Sequence, residues 1–282
     1  MTLKAALAEA VEVLPRLESE TLLMWVMECD RAFLYAHPEQ PLTAAQQQCY
    51  RQAVAQRQRG EPVQYITGHC EFWGLDFLVS PAVLIPRPET EHSVETALQL
   101  LQGIARPLIA DVGTGSGCIA LALAKDLPRA EVMALEISAE ALGVAAENAS
   151  RLGLSGRVTF LLSDLMSAAP PGKAGCFDLV ISNPPYVGED ESDKVQRQVK
   201  DFEPHIAVFS GRQGLDIYRR LIPQAWAALK PGGWLVLEIG YTMEAAVREM
   251  LAGWSEIRVT ADLQGIPRVV AARKSSNSPA EY

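Results

Sequence analysis

The run Phe177-Asp178-Leu179-Val180-Ile181-Ser182 is mostly apolar and of strand length, and it stops abruptly at Asn183-Pro184-Pro185-Tyr186. Two consecutive prolines remove two backbone N–H groups and hold φ near about −65°, so the carbonyls around them are drawn into neither a ladder nor a helix. The corner is rich in acceptors. Asn183 adds a side-chain carbonyl, Pro184 a backbone carbonyl and Tyr186 a flat face. Together they suit a planar group carrying an NH2, with two acceptors for its two hydrogens and a ring to stack against it. Taken alone, Pro-Pro after a strand is an ordinary turn signal. Its company elsewhere in the chain changes that reading.

Upstream, Leu108–Val112 reads as a buried strand that runs into Gly113-Thr114-Gly115-Ser116-Gly117, and Cys118–Lys125 then reads as a helix. This is a nucleotide-type strand-to-helix turn, in which glycines permit positive φ and close approach by a ligand, and the helix start offers free N–H groups. The dinucleotide fingerprint needs glycine where Cys118 stands, which weakens a pyrophosphate reading. A second strand, Glu131–Leu135, ends in Glu136, nineteen positions past Gly117, where a ribose-binding carboxylate belongs. Further strands near 157–161, 177–182, 234–239, 255–260 and 267–272 alternate with helices. The pattern predicts a doubly wound α/β sheet.

Ahead of this domain, residues 1–70 read as a small helical unit, with helices at Leu3–Val11 and Ser19–Met27 and a capping box at Thr43-Ala44-Ala45-Gln46 opening a Gln-rich helix that ends near Gly60. Residues 71–87 read as a hairpin-like linker with strand pairing between Phe72 and Ile85, and 88–273 as the catalytic domain, entered through a helix at 89–102. Gly188–Lys194 is charged and expected to be a mobile loop, and the polar segment 274–282 a flexible tail.

Here the residues resemble a family. Gly-x-Gly-x-Gly, an acid ending the second strand and Asn-Pro-Pro-Tyr ending the fourth resemble the class I S-adenosylmethionine-dependent amino-methyltransferases. Leu84-Ile85-Pro86-Arg87-Pro88-Glu89-Thr90-Glu91, Arg59–Gly68 with Glu71-Phe72, Glu203-Pro204, Gly214-Leu215, Leu237-Glu238-Ile239-Gly240 and Asp262–Arg268 are similar to segments of the HemK/PrmC family, the release factor glutamine methyltransferases. The resemblance implies a seven-stranded Rossmann-like domain, S-adenosylmethionine as cofactor with S-adenosylhomocysteine as product, and the glutamine of the Gly-Gly-Gln tip of class I peptide chain release factors as methyl acceptor. It implies cofactor contacts from Gly113, Thr114, Gly115, Ser116, Gly117, Glu136, Asp164, Leu165 and Asn183. Catalysis falls to Asn183, Pro184 and Tyr186, substrate contacts to those three with Pro185, Pro86 and Arg87, and protein docking to segment 1–70. The family more often has Asp at Glu136, sometimes Trp at Leu165, and Ala-Leu at Ala207-Val208.

Two other classes are consistent with the corner: an amino-methyltransferase acting on a nucleic-acid base, and a cofactor-binding interaction module without turnover. A net charge of −9 disfavours tracking a phosphate backbone, so no direct nucleic-acid binding is expected. Cys29, Cys49, Cys70, Cys118 and Cys176 are scattered and odd in number, which suits free thiols in a reducing cytosol. His69 beside Cys70 has no second pair to complete a site, so no metal is expected. No run reaches the ~18 apolar residues of a spanning helix. A cytoplasmic monomer without a membrane partner is the expectation.

Overall fold

A computed structural model describes residues 1–275. The described residues form two compact units, one of Met1–His69 together with Gln196–Phe202, the other of Cys70–Val195 and residues 203–275.

The first unit contains helices α1 (Leu3–Val11), α2 (Arg16–Met27), α3 (Arg31–Ala36), α4 (Ala44–Gln58) and α5 (Val63–Thr67). Side-chain caps start α1, α3 and α4: Thr2 accepts the Ala5 N–H at 3.3 Å, Asp30 accepts the Phe33 N–H at 2.7 Å, and Thr43 and Gln46 form the reciprocal capping box expected from the sequence, while α2 and α5 start after Pro15 and Pro62. Leu3, Ala6, Ala10, Leu22, Leu23, Tyr50 and Ala53 fill the interior. The Tyr50 phenol donates to the Ser19 carbonyl at 3.0 Å, so its polar end is satisfied inside that core. Arg57 donates to both carboxylate oxygens of Glu18, at 2.7 and 3.0 Å, and so ties α4 to α2. The returning segment also belongs to this unit, where a Cβ added to Gly60 would stand 3.5 Å from the Phe202 ring.

A hairpin follows, β1 (His69–Phe72) and β2 (Leu75–Leu78), turning at Trp73-Gly74. It lies earlier than the predicted pairing between Phe72 and Ile85. Pro81 and Pro86 carry no N–H to give a ladder, so the chain from Val79 to Arg87 has no regular structure. Phe72 and Phe77 enter the core of the second unit, their rings 6.1 Å apart edge to face.

The rest of that unit runs through a 3-10 turn at Pro88–Thr90 into α6 (Glu91–Leu100), β3 (Leu108–Val112), α7 (Cys118–Asp126), β4 (Glu131–Glu136), α8 (Ala139–Arg151), β5 (Val158–Leu162) and β6 (Phe177–Ser182). After helices α9 (Arg197–Phe202, in the first unit) and α10 (His205–Val208) come α11 (Asp216–Ala228), β7 (Leu229–Glu238), α12 (Glu244–Met250), β8 (Ser255–Ala261) and β9 (Pro267–Arg273). The sheet order is β5-β4-β3-β6-β7-β9-β8, with β9 antiparallel to both neighbours and the other pairs parallel. Alternate side chains enter two cores. Ile109, Leu179, Ile181 and Val236 face one, and Ala110, Val112, Val180 and Leu237 the other. Strands buried on both faces read as continuous apolar runs, which is why β3 and β6 were so visible in the sequence. The sheet is the doubly wound, seven-stranded fold expected.

Lys274, where the tail is expected to start, donates from Nζ to the carbonyls of Trp226 and Leu229 at 2.6 and 2.7 Å. Residues 276–282 of that expected tail lie outside the described residues. The stretch predicted as a mobile loop forms a 3-10 turn over Glu189–Lys194, its first N–H held by the Gly211 carbonyl at 2.9 Å. Among the described residues no helix is long and apolar enough to cross a membrane.

Candidate active site

The sheet order reverses at β3, whose neighbours β4 and β6 lead the chain in opposite directions. Ligands of open α/β sheets bind in the crevice outside the carboxyl ends of the strands at such a point. A cavity of about 340 Å³ lies there, lined by Val112, Glu136, Ser163 and Ser182 from the ends of four successive parallel strands and their flanks.

The glycine turn forms one wall. Asp111, fully buried, holds it from below by accepting the Thr114 hydroxyl at 2.6 Å and the Ala120 N–H at 3.2 Å. Gly117 has φ +84°, and a Cβ there would press to 3.2 Å on Ala145 and Leu121, so glycine alone lets α7 start against α8. Glu136 lines the cavity and is 8 % exposed. Its carboxylate accepts the N–H groups of Gly115 at 2.9 Å, Ile137 at 2.9 Å and Ser138 at 3.0 Å. Three of its roughly four lone-pair positions therefore hold the loops on either side, and the rest faces the cavity.

The Asn-Pro-Pro-Tyr corner forms the opposite wall, and Ser182 ties it to β3 by donating to the Val112 carbonyl at 2.7 Å. Asn183 donates from Nδ2 to the Thr90 hydroxyl at 3.1 Å, so its Oδ1 is the end left for a ligand. Asn183, Pro184 and Pro185 all line the cavity. Tyr186 does not: it packs against the core under β7, with Gly240 leaving room for its ring. The flat face predicted to meet an acceptor is turned into the wall. Burial, and next the nearby Glu238 carboxyl, push the Tyr186 phenol well above its ordinary value, so the group is a donor and not a base. Gly214, at φ +75°, passes so close behind that a Cβ would strike the Tyr186 carbonyl.

The remaining predicted residues also reach the cavity, with partners the sequence did not disclose. Asp164 pairs with Arg220 at 2.6 Å. Leu165 takes a left-handed backbone, φ +52°, rare for a branched side chain and a local strain at the site. Arg87 is held at 2.5 Å by Glu203, whose side chain is fully buried and whose other oxygen accepts the Ile85 N–H at 3.3 Å. Pro86 and Arg87 are thus fixed cavity wall.

Sequence reasoning missed Asp111, Thr90 and Glu238, each 2 % exposed or less. A signal was available for the acids: Glu136, Asp111 and Glu238 all sit in the last two residues of strands that end at this crevice. Burial pushes the carboxyls of Asp111 and Glu238 up to about 7. For Asp111 the hydrogen bonds from Thr114 and Ala120 oppose this rise.

Comparison with known proteins agrees with this geometry. The PrmC N-terminal domain matches residues 2–68 and the methyltransferase small domain residues 92–202. A release factor glutamine methyltransferase of Koribacter versatilis is 56% identical over 98% of this chain and 100% of its own length. Those of Xylella fastidiosa and Moorella thermoacetica are 45% and 46% identical, covering 95% and 89% of this chain and 97% and 89% of theirs. Among solved structures, the hMettl16 catalytic domain in complex with a MAT2A 3'UTR hairpin superposes with a TM-score of 0.59 at 16% identity, covering 85% of each chain, a likeness of fold alone. With a near-full-length relative at that identity, and with the glycine turn and the Asn-Pro-Pro-Tyr corner meeting across one cavity, the chain belongs to the release factor glutamine methyltransferases, enzymes of the class I methyltransferase fold.

Proposed function

We propose that this enzyme methylates the side-chain amide nitrogen of the glutamine in the Gly-Gly-Gln motif of class I peptide chain release factors, and so supports translation termination. The observation that carries the reading is the orientation of Asn183, whose NH2 is spent on Thr90 and whose carbonyl oxygen is free for a donor. A glutamine side chain presents such a donor.

The cavity residues fit S-adenosylmethionine. A Cβ added at Gly113 or Gly115 would meet nothing within 4 Å, which leaves an open cradle for the amino-acid end, and Glu136 offers an acceptor for ribose hydroxyls. Asp164 and Leu165 line the same cavity and would hold the adenine end. Bound S-adenosylmethionine supplies an electrophilic methyl on a sulfonium and leaves as S-adenosylhomocysteine.

The amide nitrogen of the acceptor is a poor nucleophile because its lone pair is delocalised into the carbonyl. Asn183 Oδ1 and the Pro184 carbonyl would each accept one N–H of the NH2, holding the nitrogen in line and favouring pyramidalisation as charge develops. With the cofactor bound, the nitrogen so held would take the methyl as the S–CH3 bond breaks, and the acidic cation formed would lose its proton to solvent. No dedicated base is required. Tyr186, half-buried against the core, supports the wall. Segment 1–70 would dock the release factor, since a loop tip offers too little surface for selectivity when standard interfaces bury about 800 Å² per partner. Free Gly-Gly-Gln peptides should then be poor substrates. We place the enzyme in the cytoplasm as a monomer, in keeping with its free cysteines.

The test is incubation with labelled S-adenosylmethionine and either release factor, a release factor with the motif glutamine changed to alanine, or DNA and RNA. Label on intact release factor only supports the reading. Label on nucleic acid, or on the alanine control, would replace it.

A further inference from the structure

Asn148, on α8, is fully buried and does not line the cavity. A carboxamide taken out of water is costly unless its oxygen and its NH2 both find partners. Here every partner is a backbone group. Oδ1 accepts the Leu78 N–H at 2.7 Å, and Nδ2 donates to the carbonyls of Leu78 at 3.0 Å and Ser116 at 2.9 Å. Two carbonyls and one N–H admit a single orientation of the amide, since the flipped form would set oxygen against oxygen and NH2 against N–H.

The two ends joined in this way lie far apart along the chain. Leu78 closes β2 of the hairpin, and Ser116 stands in the glycine turn. The turn meets α8 at two places. Gly117 passes so close to Ala145 that a Cβ would stand 3.2 Å from it, and Asn148, about one helical turn further on, takes the Ser116 carbonyl. The Gly117 carbonyl already opens the α7 ladder by accepting the Leu121 N–H at 2.9 Å, so Ser116, just ahead of that ladder, is held from outside the turn. Ser116 lines the cavity, is 2 % exposed and has an Oγ without a hydrogen-bond partner among the described residues. The hairpin is fastened in its own right. Trp73 donates its backbone N–H to Glu91 of α6 and its Nε1–H to Asp126 at the end of α7, each at 2.8 Å, and Phe72 and Phe77 are buried in the core.

We propose that Asn148 is a positioning residue for the cofactor: it locks the Ser116 side of the glycine turn to the hairpin, so that the seating of the hairpin sets the affinity for S-adenosylmethionine. The inference rests on the cofactor reading of the cavity given above. Asn148 acts through Ser116 and touches no ligand itself. It removes freedom from the turn before the cofactor arrives, and a segment ordered in advance has less to lose on binding. The effect belongs to binding and not to turnover, because the amide clamp stands on the opposite wall.

The test is the calorimetric affinity for S-adenosylmethionine and S-adenosylhomocysteine, which needs no methyl acceptor. Asn148→Asp keeps an acceptor for the Leu78 N–H but sets a carboxylate against two carbonyls, and Asn148→Ala removes all three bonds. Each should weaken both ligands by about tenfold or more, while kcat with cofactor and release factor saturating stays within about threefold of wild type. Val247→Ala, which opens a gap in the other core, controls for stability: it should lower the melting temperature and leave the affinity alone. Phe77→Leu, which loosens β2 beside Leu78, should weaken S-adenosylmethionine about threefold in the wild type and not at all in Asn148→Ala. Folded Asn148 variants with wild-type affinity, an equal loss of affinity in Val247→Ala, or the same loss from Phe77→Leu in both backgrounds would overturn the proposal. Wild-type protein that binds no S-adenosylmethionine would overturn the cofactor reading and the proposal with it. If the cofactor binds as expected but no release factor is methylated, the affinities still decide the role of Asn148, and the acceptor reading is what fails.

Discussion

Glu136 and Glu238 end parallel strands of the same sheet, one lining the cavity and the other buried outside its lining, and their surroundings give them different work. Glu136 meets three backbone N–H groups, donors that cannot rotate away or turn into acceptors. Glu238 is buried, has no such backbone donors and keeps one carboxylate oxygen without a partner among the described residues. A carboxylate fixed by backbone is a structural anion with a ligand-facing remainder. One buried without such donors is pushed toward keeping its proton. The difference lies in the donors and not in the residue type.

The largest effect expected on the Glu238 side is that of Asn183→Ala, which removes one of the two acceptors for the substrate NH2. Turnover should fall by about 10²–10³, the usual loss for one preorganised transition-state hydrogen bond, while cofactor affinity and melting temperature stay close to wild type. Wild-type turnover by the folded variant would remove the clamp and with it the contrast between the walls.

A smaller effect, on stability, separates the two acids directly. The Glu238 carboxyl is raised from its ordinary 4.5 to about 7, so the folded state binds the extra proton between those values. Its contribution to stability is greatest below pH 4.5, falls as pH rises to about 7 and is level above that. The span is on the order of 3 kcal/mol. Glu238→Gln should remove this part of the slope in urea titrations across that window. An unaltered slope would mean that the carboxyl is held by donors as firmly as Glu136.

Glu136→Ala should weaken S-adenosylmethionine about tenfold to a hundredfold in calorimetry, with a lesser effect on kcat at saturation. It also strips three N–H groups of their acceptor, so a fall in stability of about 1–3 kcal/mol should accompany it. Lost stability with unchanged affinity would make the acid purely structural. The smallest effect is that of Tyr186→Phe, which keeps the ring packed against the core and deletes only its hydroxyl, worth about 1 kcal/mol or less. Turnover should stay close to wild type, and a severe loss would give the hydroxyl a part in the reaction.

Much of the fold was legible because central strands buried on both faces print themselves as uninterrupted apolar runs, as in Leu108–Val112 and Phe177–Ser182. The glycine turn and Glu136 were legible because their spacing along the chain reflects a local strand-to-helix geometry. Thr90 and Glu238 were not, because the contact that gives Thr90 its meaning joins it to a residue 93 positions away, and no local pattern records that pairing. Tyr186 was legible as an aromatic at the corner, but the direction of its ring is decided by the space Gly240 leaves on another strand end. The hairpin between the units was legible, but its strands end before the expected limit because only the first part of Phe72 to Ile85 is free of proline.

The helical unit is finished by Gln196–Phe202, a stretch that the ribosome makes more than a hundred residues after His69. At synthesis rates of ~5–20 residues per second, that leaves an interval of roughly 7–27 s in which the first helices exist without their last piece. The unit is therefore no portable cassette. Grafting residues 1–69 onto another catalytic domain, or recombining genes at that boundary, would transfer an unfinished body whose completing segment stays with the donor gene.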